Sequence, residues 1–328
     1  MIDAPVLVLA DLDAAGAPTA PALELISAAR TLTSGEVTAL VLAGPDQAAA
    51  AGPALSGCGA VRVLAVDPAA AVTAAGAADA VVAAVGAYAP GVVLVTSDYR
   101  GKEIAGRAAV LLDSACASDV ADLEIVGEEL RASKLVLSGS WTTTLAVAPG
   151  TGRVPVVAVR PGAVEAAPVP APSPAPVEQL AVELSPEASA VTLVSSEQTT
   201  VAAGPDLVEA RTVVVGGRGV DGDFDLVRSL AEPLGAAVGA TRVACDEGWI
   251  ERSAQVGQTG VSIAPRLYIG LGVSGAVHHT SGIQGAGTIV AICDDSEAPI
   301  FEMADFGVVG DVTQVVPQLV EELERLRP

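Results

Sequence analysis

Residues 212–219 read Thr-Val-Val-Val-Gly-Gly-Arg-Gly, and residues 267–275 read Leu-Tyr-Ile-Gly-Leu-Gly-Val-Ser-Gly. Both stretches begin with a short apolar run that is typical of a buried parallel strand, and glycines follow at once. Glycines at the carboxyl end of such a strand let backbone amides close on an anion. The two stretches therefore predict an α/β sheet that holds a large phosphate-bearing cofactor.

The sequence around these stretches extends the pattern into a complete domain. Strands are expected at 212–216, near 237–240, at 267–271 and at 288–293, with helices at about 223–234 and 313–326. Strands and helices that alternate in this way are typical of a Rossmann-like domain with a parallel sheet. We expect a C-terminal α/β domain of roughly 120 residues.

The N-terminal half shows the same alternation. Strands are predicted at 6–10, 37–42, 61–66 and 92–95, and helices at 20–31, 68–87 and 102–112. This alternation predicts a second α/β domain, with a nucleotide-binding-like parallel sheet and right-handed crossovers. Two later strands, at 135–138 and 154–159, leave no room for helices, so we expect antiparallel strands at the end of this sheet.

A proline-rich segment separates the two halves. Residues 167–176 read Ala-Pro-Val-Pro-Ala-Pro-Ser-Pro-Ala-Pro, which favours an extended polyproline II conformation in a linker or exposed excursion. Between 163 and 210 the chain has seven acidic residues and no basic one, as in a solvated connector, with at most one short strand at 191–195. We expect an N-terminal domain at 1–200 that includes the connector at 163–200, and a C-terminal domain at 201–328.

Composition argues against several classes of protein. The 328 residues carry a formal charge of −22 without any basic cluster, which argues against nucleic-acid binding. Glycine, proline or aspartate interrupts every long apolar run, so we expect no membrane-embedded segment. The N-terminal sequence lacks the features of a signal peptide, and a cytoplasmic location is expected. Four scattered cysteines and two adjacent histidines give no metal-ligand pattern, so no metal site is expected.

Several polar residues are predicted to meet at one edge of the C-terminal sheet. Arg218 follows the strand at 212–216, and Arg242 follows the strand near 237–240. Either arginine alone is more often solvated or salt-bridged, and a single Gly-x-Gly is common in ordinary turns. Two arginines, two glycine-rich loops and the pair His278-His279 together favour a ligand site, because open α/β sheets bind ligands at this edge.

Five ordered motifs carry a resemblance to a known family. They are Gly-Gly-Arg-Gly at 216–219, Gly-Ala-Thr-Arg at 239–242, Gln-Val-Gly-Gln-Thr-Gly at 255–260, Ser-Gly-Ala-Val-His-His at 274–279, and Glu-Ala-Pro-Ile-Phe at 297–301 followed by Ala-Asp-Phe-Gly-Val-Val-Gly-Asp at 304–311. In order and spacing they resemble the alpha subunit of electron transfer flavoprotein. The N-terminal half resembles this family less closely, through 101–119 and Val-Arg-Pro-Gly at 159–162.

The resemblance implies one FAD, held mostly by the C-terminal domain, in a heterodimer with an electron transfer flavoprotein beta subunit. Electrons would pass from an acyl-CoA or related dehydrogenase, as in fatty acid beta-oxidation, to a quinone oxidoreductase or another acceptor. The chain would be an electron carrier rather than a substrate-converting enzyme, and no catalytic residue is predicted. The alternatives are another nucleotide-binding oxidoreductase domain and a structural subunit that has lost flavin.

The resemblance also assigns cofactor contacts to individual residues. They are Arg218, Thr241, Arg242, Gln255, Gly257, Gln258, Thr259, Gly260, Ser274, Gly275, Ala276, Val277, His278, His279, Cys293 and Asp311.

Some of these assignments carry specific roles. Thr259 would place its hydroxyl near flavin N5, and Thr241 would lie near the phosphates. Arg242 would lie against the ring beside His279, which would donate a hydrogen bond, since a guanidinium and a donor both stabilise negative charge there. The amides of 274–276 would bind the pyrophosphate. Asp311 would contact the ribose hydroxyls, or else cap the helix that follows.

Five positions depart from the family's usual residues. Cys293 stands where an asparagine is usual, Asp294 and Val261 where lysines are usual, His278 where a glutamine is usual, and Thr241 where a serine is usual. The chain also has only two lysines, so docking to donors and acceptors cannot use lysine-rich surfaces. These departures suggest a divergent member dedicated to one pathway.

Overall fold

The computed structural model describes residues 1–127, 129–137, 141–147, 152–170, 174–195 and 204–326. These residues form two compact units, one built from elements between residues 6 and 189 and the other from elements between 212 and 326. Each unit is an α/β sheet structure. The predicted fold class, two α/β domains of which the second is Rossmann-like, is confirmed.

The first unit begins with four strands and four helices in alternation. They are β1 (Val6–Leu9), α1 (Ala20–Leu32), β2 (Val37–Val41), α2 (Pro45–Cys58), β3 (Arg62–Ala65), α3 (Ala74–Tyr88), β4 (Val92–Thr96) and α4 (Tyr99–Leu111). Three of these helices have an N-cap residue, Thr19, Thr73 or Asp98, whose side chain accepts a hydrogen bond from a first-turn amide. Such N-caps satisfy amides that have no partner within the helix.

The rest of the first unit adds five strands. They are β5 (Cys116–Val126), β6 (Glu129–Val136), β7 (Trp141–Val147), β8 (Val156–Val159) and β9 (Val177–Gln179), and the short helix α5 (Pro186–Ser189) follows. The sheet order is β7-β6-β5-β8-β4-β1-β2-β3-β9. The strands β5, β6 and β7 pair antiparallel at one end, as expected. The predicted strand at 154–159 is instead parallel to both of its neighbours, β4 and β5.

The proline-rich segment lies against the first unit where the structure describes it. The amide of Val169 donates to the Gly57 carbonyl over 2.6 Å, and that of Ala175 donates to the Ser56 hydroxyl over 2.7 Å. Residues 177–179 then add β9 beside β3. The predicted strand at 191–195 is wrong, because these residues form no ladder. Residues 171–173 and the expected boundary at 200 lie outside the described residues.

The second unit is a five-stranded parallel sheet with the order β11-β10-β12-β13-β14. Its elements are β10 (Thr212–Gly216), α6 (Phe224–Leu234), β11 (Ala237–Ala240), α7 (Arg242–Asp246), β12 (Leu267–Leu271), α8 (Val277–Thr280), β13 (Thr288–Cys293), β14 (Phe306–Val309) and α9 (Val312–Leu326). One apolar cluster, which includes Val227, Leu230 and Val316, packs α6 and α9 onto the sheet. A second cluster around Tyr268 and Ile283 covers the opposite face.

The strand order places a ligand crevice within the second unit. Strand β10 leads to β11 on one side, and the chain then crosses to β12 on the other side. The strand order therefore reverses between β10 and β12, and the carboxyl ends of the strands at such a topological switch point are where open α/β sheets bind ligands. Among the described residues no helix has both the length and the apolar composition that crossing a membrane requires.

Candidate functional site

A cavity of about 310 Å³ opens at this switch point. Its lining comes from the ends of three strands and from the loop after α7: Arg218, Thr241, Arg242, Val243, Gln255, Val256, Gly257, Thr259, Gly272, Val273, Ser274, Gly275, Ala276, His278 and His279. Eleven of the sixteen predicted contact residues are in this set. The structure thus brings together four separate motifs of the sequence in one cavity.

Glycines let the loops after β10 and β12 approach each other closely. The Gly217 amide donates to the Leu271 carbonyl over 2.8 Å, and the Gly219 amide donates to the Gly272 carbonyl over 3.0 Å. A Cβ on Gly217 would lie 2.2 Å from the Gly272 oxygen. Gly272 itself has φ of +61°, a left-handed conformation that favours glycine. These glycines therefore allow close packing of the two backbone segments at the edge of the cavity.

Three consecutive amides lie on the β12 side of the cavity. Within the described residues, no group accepts a hydrogen bond from the amides of Ser274, Gly275 or Ala276. Gly275 has φ of +83°, and a Cβ there would lie 2.3 Å from the Ile300 amide nitrogen. Successive amides held in such a turn form a concave site for an anion.

The two arginines of the cavity differ in their contacts. Arg242 is exposed, and its Nε donates to the Asp246 carboxylate over 3.2 Å, which Arg252 also contacts. Arg218 makes no ion pair within the part of the chain that the structure describes. Of the residues that the structure describes, no Asp or Glu lines the cavity. The lining is therefore positively charged, as binding of a phosphate-bearing cofactor requires.

Two buried oxygens in the cavity wall have no hydrogen-bond partner within the described chain. Thr241 lies between β11 and α7, and its Oγ1 is buried and unpaired. Gln255 is 1% exposed, and its Oε1 is unpaired as well. Buried polar groups are normally satisfied, so unpaired ones at a cavity indicate a ligand that completes them. A ligand with several donors and acceptors, as a dinucleotide has, fits these oxygens together with the free amides.

Side-chain contacts hold the loop at 255–260 against α8. Gln255 Nε2 donates to Thr259 Oγ1 over 2.9 Å. The Gln258 amide donates to the His278 carbonyl over 2.7 Å, and the Gln258 side chain contacts His278 Nδ1 at 2.6 Å. A Cβ on Gly257 would lie 2.5 Å from that carbonyl oxygen. Gln258 and Gly260 do not line the cavity themselves and instead shape the loop that presents Thr259.

His279 is the buried member of the histidine pair. Its Nδ1 lies 3.0 Å from the Val256 carbonyl oxygen, and its Nε2 lies 2.8 Å from the Tyr268 hydroxyl. Burial lowers the pKa of His279 to about 4 and raises the pKa of Tyr268. The predicted donation from His279 to the cofactor therefore does not agree with the structure, because both ring nitrogens already have protein partners.

Besides Gln258 and Gly260, three further predicted contacts lie outside the cavity lining. Val277 is an exposed residue at the start of α8. Cys293 is buried at the end of β13, with Sγ 3.9 Å from an oxygen of Asp294. Asp311 accepts from the Thr313 amide over 2.8 Å and from the Thr313 hydroxyl over 2.7 Å, and these bonds lower its pKa. Asp311 thus caps α9, which was the alternative role.

Sequence comparison identifies the family. Residues 6–185 match the electron transfer flavoprotein domain, and residues 206–284 match the electron transfer flavoprotein FAD-binding domain. An electron transfer flavoprotein subunit alpha of Mycobacterium leprae is 41% identical over 308 residues, covering 92% of each chain. One from Mycobacterium tuberculosis strain H37Rv is 41% identical over 326 residues, covering 98% of each chain. The chain belongs to the electron transfer flavoprotein alpha-subunit family.

Membership in this family identifies FAD as the cofactor. The eleven predicted residues that line the cavity all lie within the match to the FAD-binding domain. A more distant alpha subunit, from Bacillus subtilis, is 35% identical over 239 residues, covering 72% of each chain.

Sequence reasoning missed four residues that line the cavity, Val243, Val256, Gly272 and Val273, and also Tyr268 behind His279. Of these residues, Gly272 could have been identified from the sequence, because it interrupts an apolar run between two glycine-containing motifs.

Proposed function

We propose that the chain carries electrons through one FAD, as the alpha subunit of a heterodimer with an electron transfer flavoprotein beta subunit. The donor is an acyl-CoA or related dehydrogenase, and the acceptor is a quinone oxidoreductase. The observation that carries the cofactor side of this proposal is the cavity at the switch point, where the described residues provide three free amides and two arginines and no lining carboxylate. We place the FAD-binding domain at 201–328.

Bound FAD supplies the redox chemistry, since it can accept and pass on electrons. The amides of Ser274, Gly275 and Ala276 would hold the pyrophosphate of the cofactor, and Arg218, which has no ion pair in the described chain, would add positive charge. Thr241 Oγ1 and Gln255 Oε1 would gain partners from the cofactor. Arg242, whose guanidinium stays protonated, would stabilise negative charge on the bound cofactor.

Gln255 sets the direction of the Thr259 hydroxyl. Because Gln255 Nε2 donates to Thr259 Oγ1, the oxygen of that hydroxyl is occupied as an acceptor. The Thr259 hydrogen is then free to point into the cavity. Thr259 would thereby donate toward the flavin ring, and the contacts of Gln258 with His278 keep its loop in place.

The remaining predictions concern regions away from the cavity. Cys293 and Asp311 are proposed to lie near the adenosine end of FAD. A cytoplasmic location is proposed as well, and the four free cysteines Cys58, Cys116, Cys245 and Cys293 support it, since thiols stay reduced in that compartment.

The test is a visible absorption spectrum of the chain co-expressed with a candidate beta subunit, recorded during stepwise reduction with dithionite. We expect a flavin spectrum in wild type, and FAD bound at least about tenfold more weakly after Arg242→Ala, because a charge-assisted contact contributes about 1.5–3 kcal/mol. The matched control is Arg228→Ala, since Arg228 pairs with Asp225 on α6 and does not line the cavity. A colourless but intact heterodimer would refute the proposal and favour a flavin-free structural subunit.

A further inference from the structure

Tyr268 and His279 form a buried pair behind the FAD cavity. Tyr268 lies in β12 and is fully buried, while His279 lies in α8 and is 6% exposed. The Tyr268 hydroxyl lies 2.8 Å from His279 Nε2, and the ring centroids are 6.1 Å apart. His279 lines the cavity and Tyr268 does not, so Tyr268 can act on the cofactor only through the histidine.

The partners of the ring determine where its hydrogen lies. A carbonyl oxygen can only accept, so Nδ1, 3.0 Å from the Val256 oxygen, carries a hydrogen. In a neutral imidazole the other nitrogen is then an acceptor. The Tyr268 hydroxyl is the group within reach, and it donates to Nε2. Both ring nitrogens are thus satisfied by the protein in a single tautomer.

The surroundings of His279 favour its neutral form. Arg218, Arg242 and His278 line the same cavity, and no Asp or Glu is among the lining residues. The Gln255–Gly257 segment presents the Val256 carbonyl, and β12 presents Tyr268. No acidic group described around the cavity can therefore compensate a charge on the ring, and burial disfavours that charge.

We propose that Tyr268 is a positioning residue that fixes His279 as a neutral imidazole protonated on Nδ1. His279 then forms an uncharged wall of the FAD cavity, and the permanent positive charge toward the flavin comes from Arg218 and Arg242. The inference rests on the proposed function for its consequence at the flavin, whereas the tautomer itself does not depend on bound cofactor.

Nitrogen NMR of the histidine rings tests the tautomer directly. The chain has only two histidines, so the full chain, labelled with ¹⁵N-histidine and purified with its unlabelled partner and cofactor, gives two ring spectra, and His278→Gln assigns them. In wild type we expect His279 to show a protonated Nδ1 and a hydrogen-bonded, unprotonated Nε2 throughout about pH 5.5–8.

Tyr268→Phe then removes the donor while keeping the ring in the core. We expect the Nε2 signal to lose its hydrogen-bond shift and a second tautomer to appear. The matched control is Tyr88→Phe, which removes a hydroxyl that donates to Glu178 over 2.7 Å in the first unit. It should leave both histidine spectra unchanged.

Defined results would overturn the inference. A wild-type His279 with hydrogen on Nε2, or one that titrates in that pH range, contradicts the fixed neutral tautomer. An unchanged His279 spectrum in Tyr268→Phe shows that Val256 alone fixes the ring. If Tyr268→Phe does not fold, 3-fluorotyrosine, a stronger donor of similar size, replaces it, and an unshifted Nε2 signal overturns the inference. The flavin colour of each sample reports cofactor binding separately, so failure of the proposed function is distinguishable.

Discussion

Replacing Gly217 with alanine tests how closely the two cofactor loops must approach. The new Cβ would lie 2.2 Å from the Gly272 oxygen and 2.8 Å from Val273 Cα, and both are backbone atoms that cannot rotate away. The φ of Gly217 is −102°, which alanine adopts without strain. The expected effect is therefore purely steric, and the loops after β10 and β12 must move apart.

The size of this effect follows from what the movement disrupts. Overpacking of a tight site costs about 1–3 kcal/mol. Weakening the hydrogen bonds from the Gly217 and Gly219 amides to the β12 side adds about 0.5–1.5 kcal/mol for each. We expect Gly217→Ala to lower the free energy of unfolding of the second unit by about 2–6 kcal/mol, a large part of the usual 5–15 kcal/mol.

Differential scanning calorimetry and flavin fluorescence during heating measure this loss. The melting temperature should fall by at least about 5 °C, and FAD should be released earlier. The matched control is Gly86→Ala in α3, where the new Cβ meets nothing within 4 Å and should be neutral or slightly stabilising. If Gly217→Ala melts with the wild type and retains its FAD, the close approach does not constrain the site.

Two further substitutions have expected outcomes. Thr241→Val removes a buried hydroxyl that has no partner within the described chain. We expect the melting temperature without FAD to be unchanged or higher, and FAD to bind roughly 3- to 10-fold more weakly in equilibrium dialysis. An unchanged affinity for FAD would show that this hydroxyl does not contact the cofactor. Asp11→Asn tests a carboxyl group that follows β1, where burial outweighs the Arg100 contact at 3.3 Å and raises its pKa from 3.8 to about 6. Because the pKa of Asp11 is higher in the folded state, ionisation of this carboxyl group destabilises the fold. The free energy of unfolding of the wild type should therefore fall relative to that of Asp11→Asn as pH rises from about 4 to about 6, and should remain lower above about pH 6. Urea unfolding across this pH range measures the difference in free energy of unfolding between the two proteins. A difference that does not change with pH would contradict burial as the cause of the raised pKa.

The parallel strands were predictable because burial on both faces leaves a continuous apolar signal. Strands β10 and β12 are buried along nearly their whole length and were predicted with the correct residues. In strand β5 only Val120 is buried, and acidic residues such as Asp122 interrupt the strand, so it has no continuous apolar run. Strand β9 has only three residues, and its position depends on pairing between Val63 and Val177, which local sequence does not encode.

The candidate site could also be predicted only in part. The motifs with glycine and arginine could be recognised in the sequence because each lies at a strand end, and the parallel sheet brings those ends together. The hydrogen-bond partners of individual side chains could not be predicted from the sequence. His279 was expected to donate to the cofactor, but it contacts Tyr268 and Val256, which approach it only through packing of β12 and the 255–257 segment against α8.

The position of β8 has a consequence for how the first unit folds. Strand β8 pairs with β4 on one side and β5 on the other, so it joins the antiparallel strands β5, β6 and β7 to the rest of the sheet. During synthesis on the ribosome, the strands β1 to β4 emerge first and can pair early, but the edge of β4 stays open until residues 156–159 appear. The edge of β3 stays open longer still, until 177–179 appear. Such late, long-range pairing slows folding and leaves strand edges exposed to association between nascent chains.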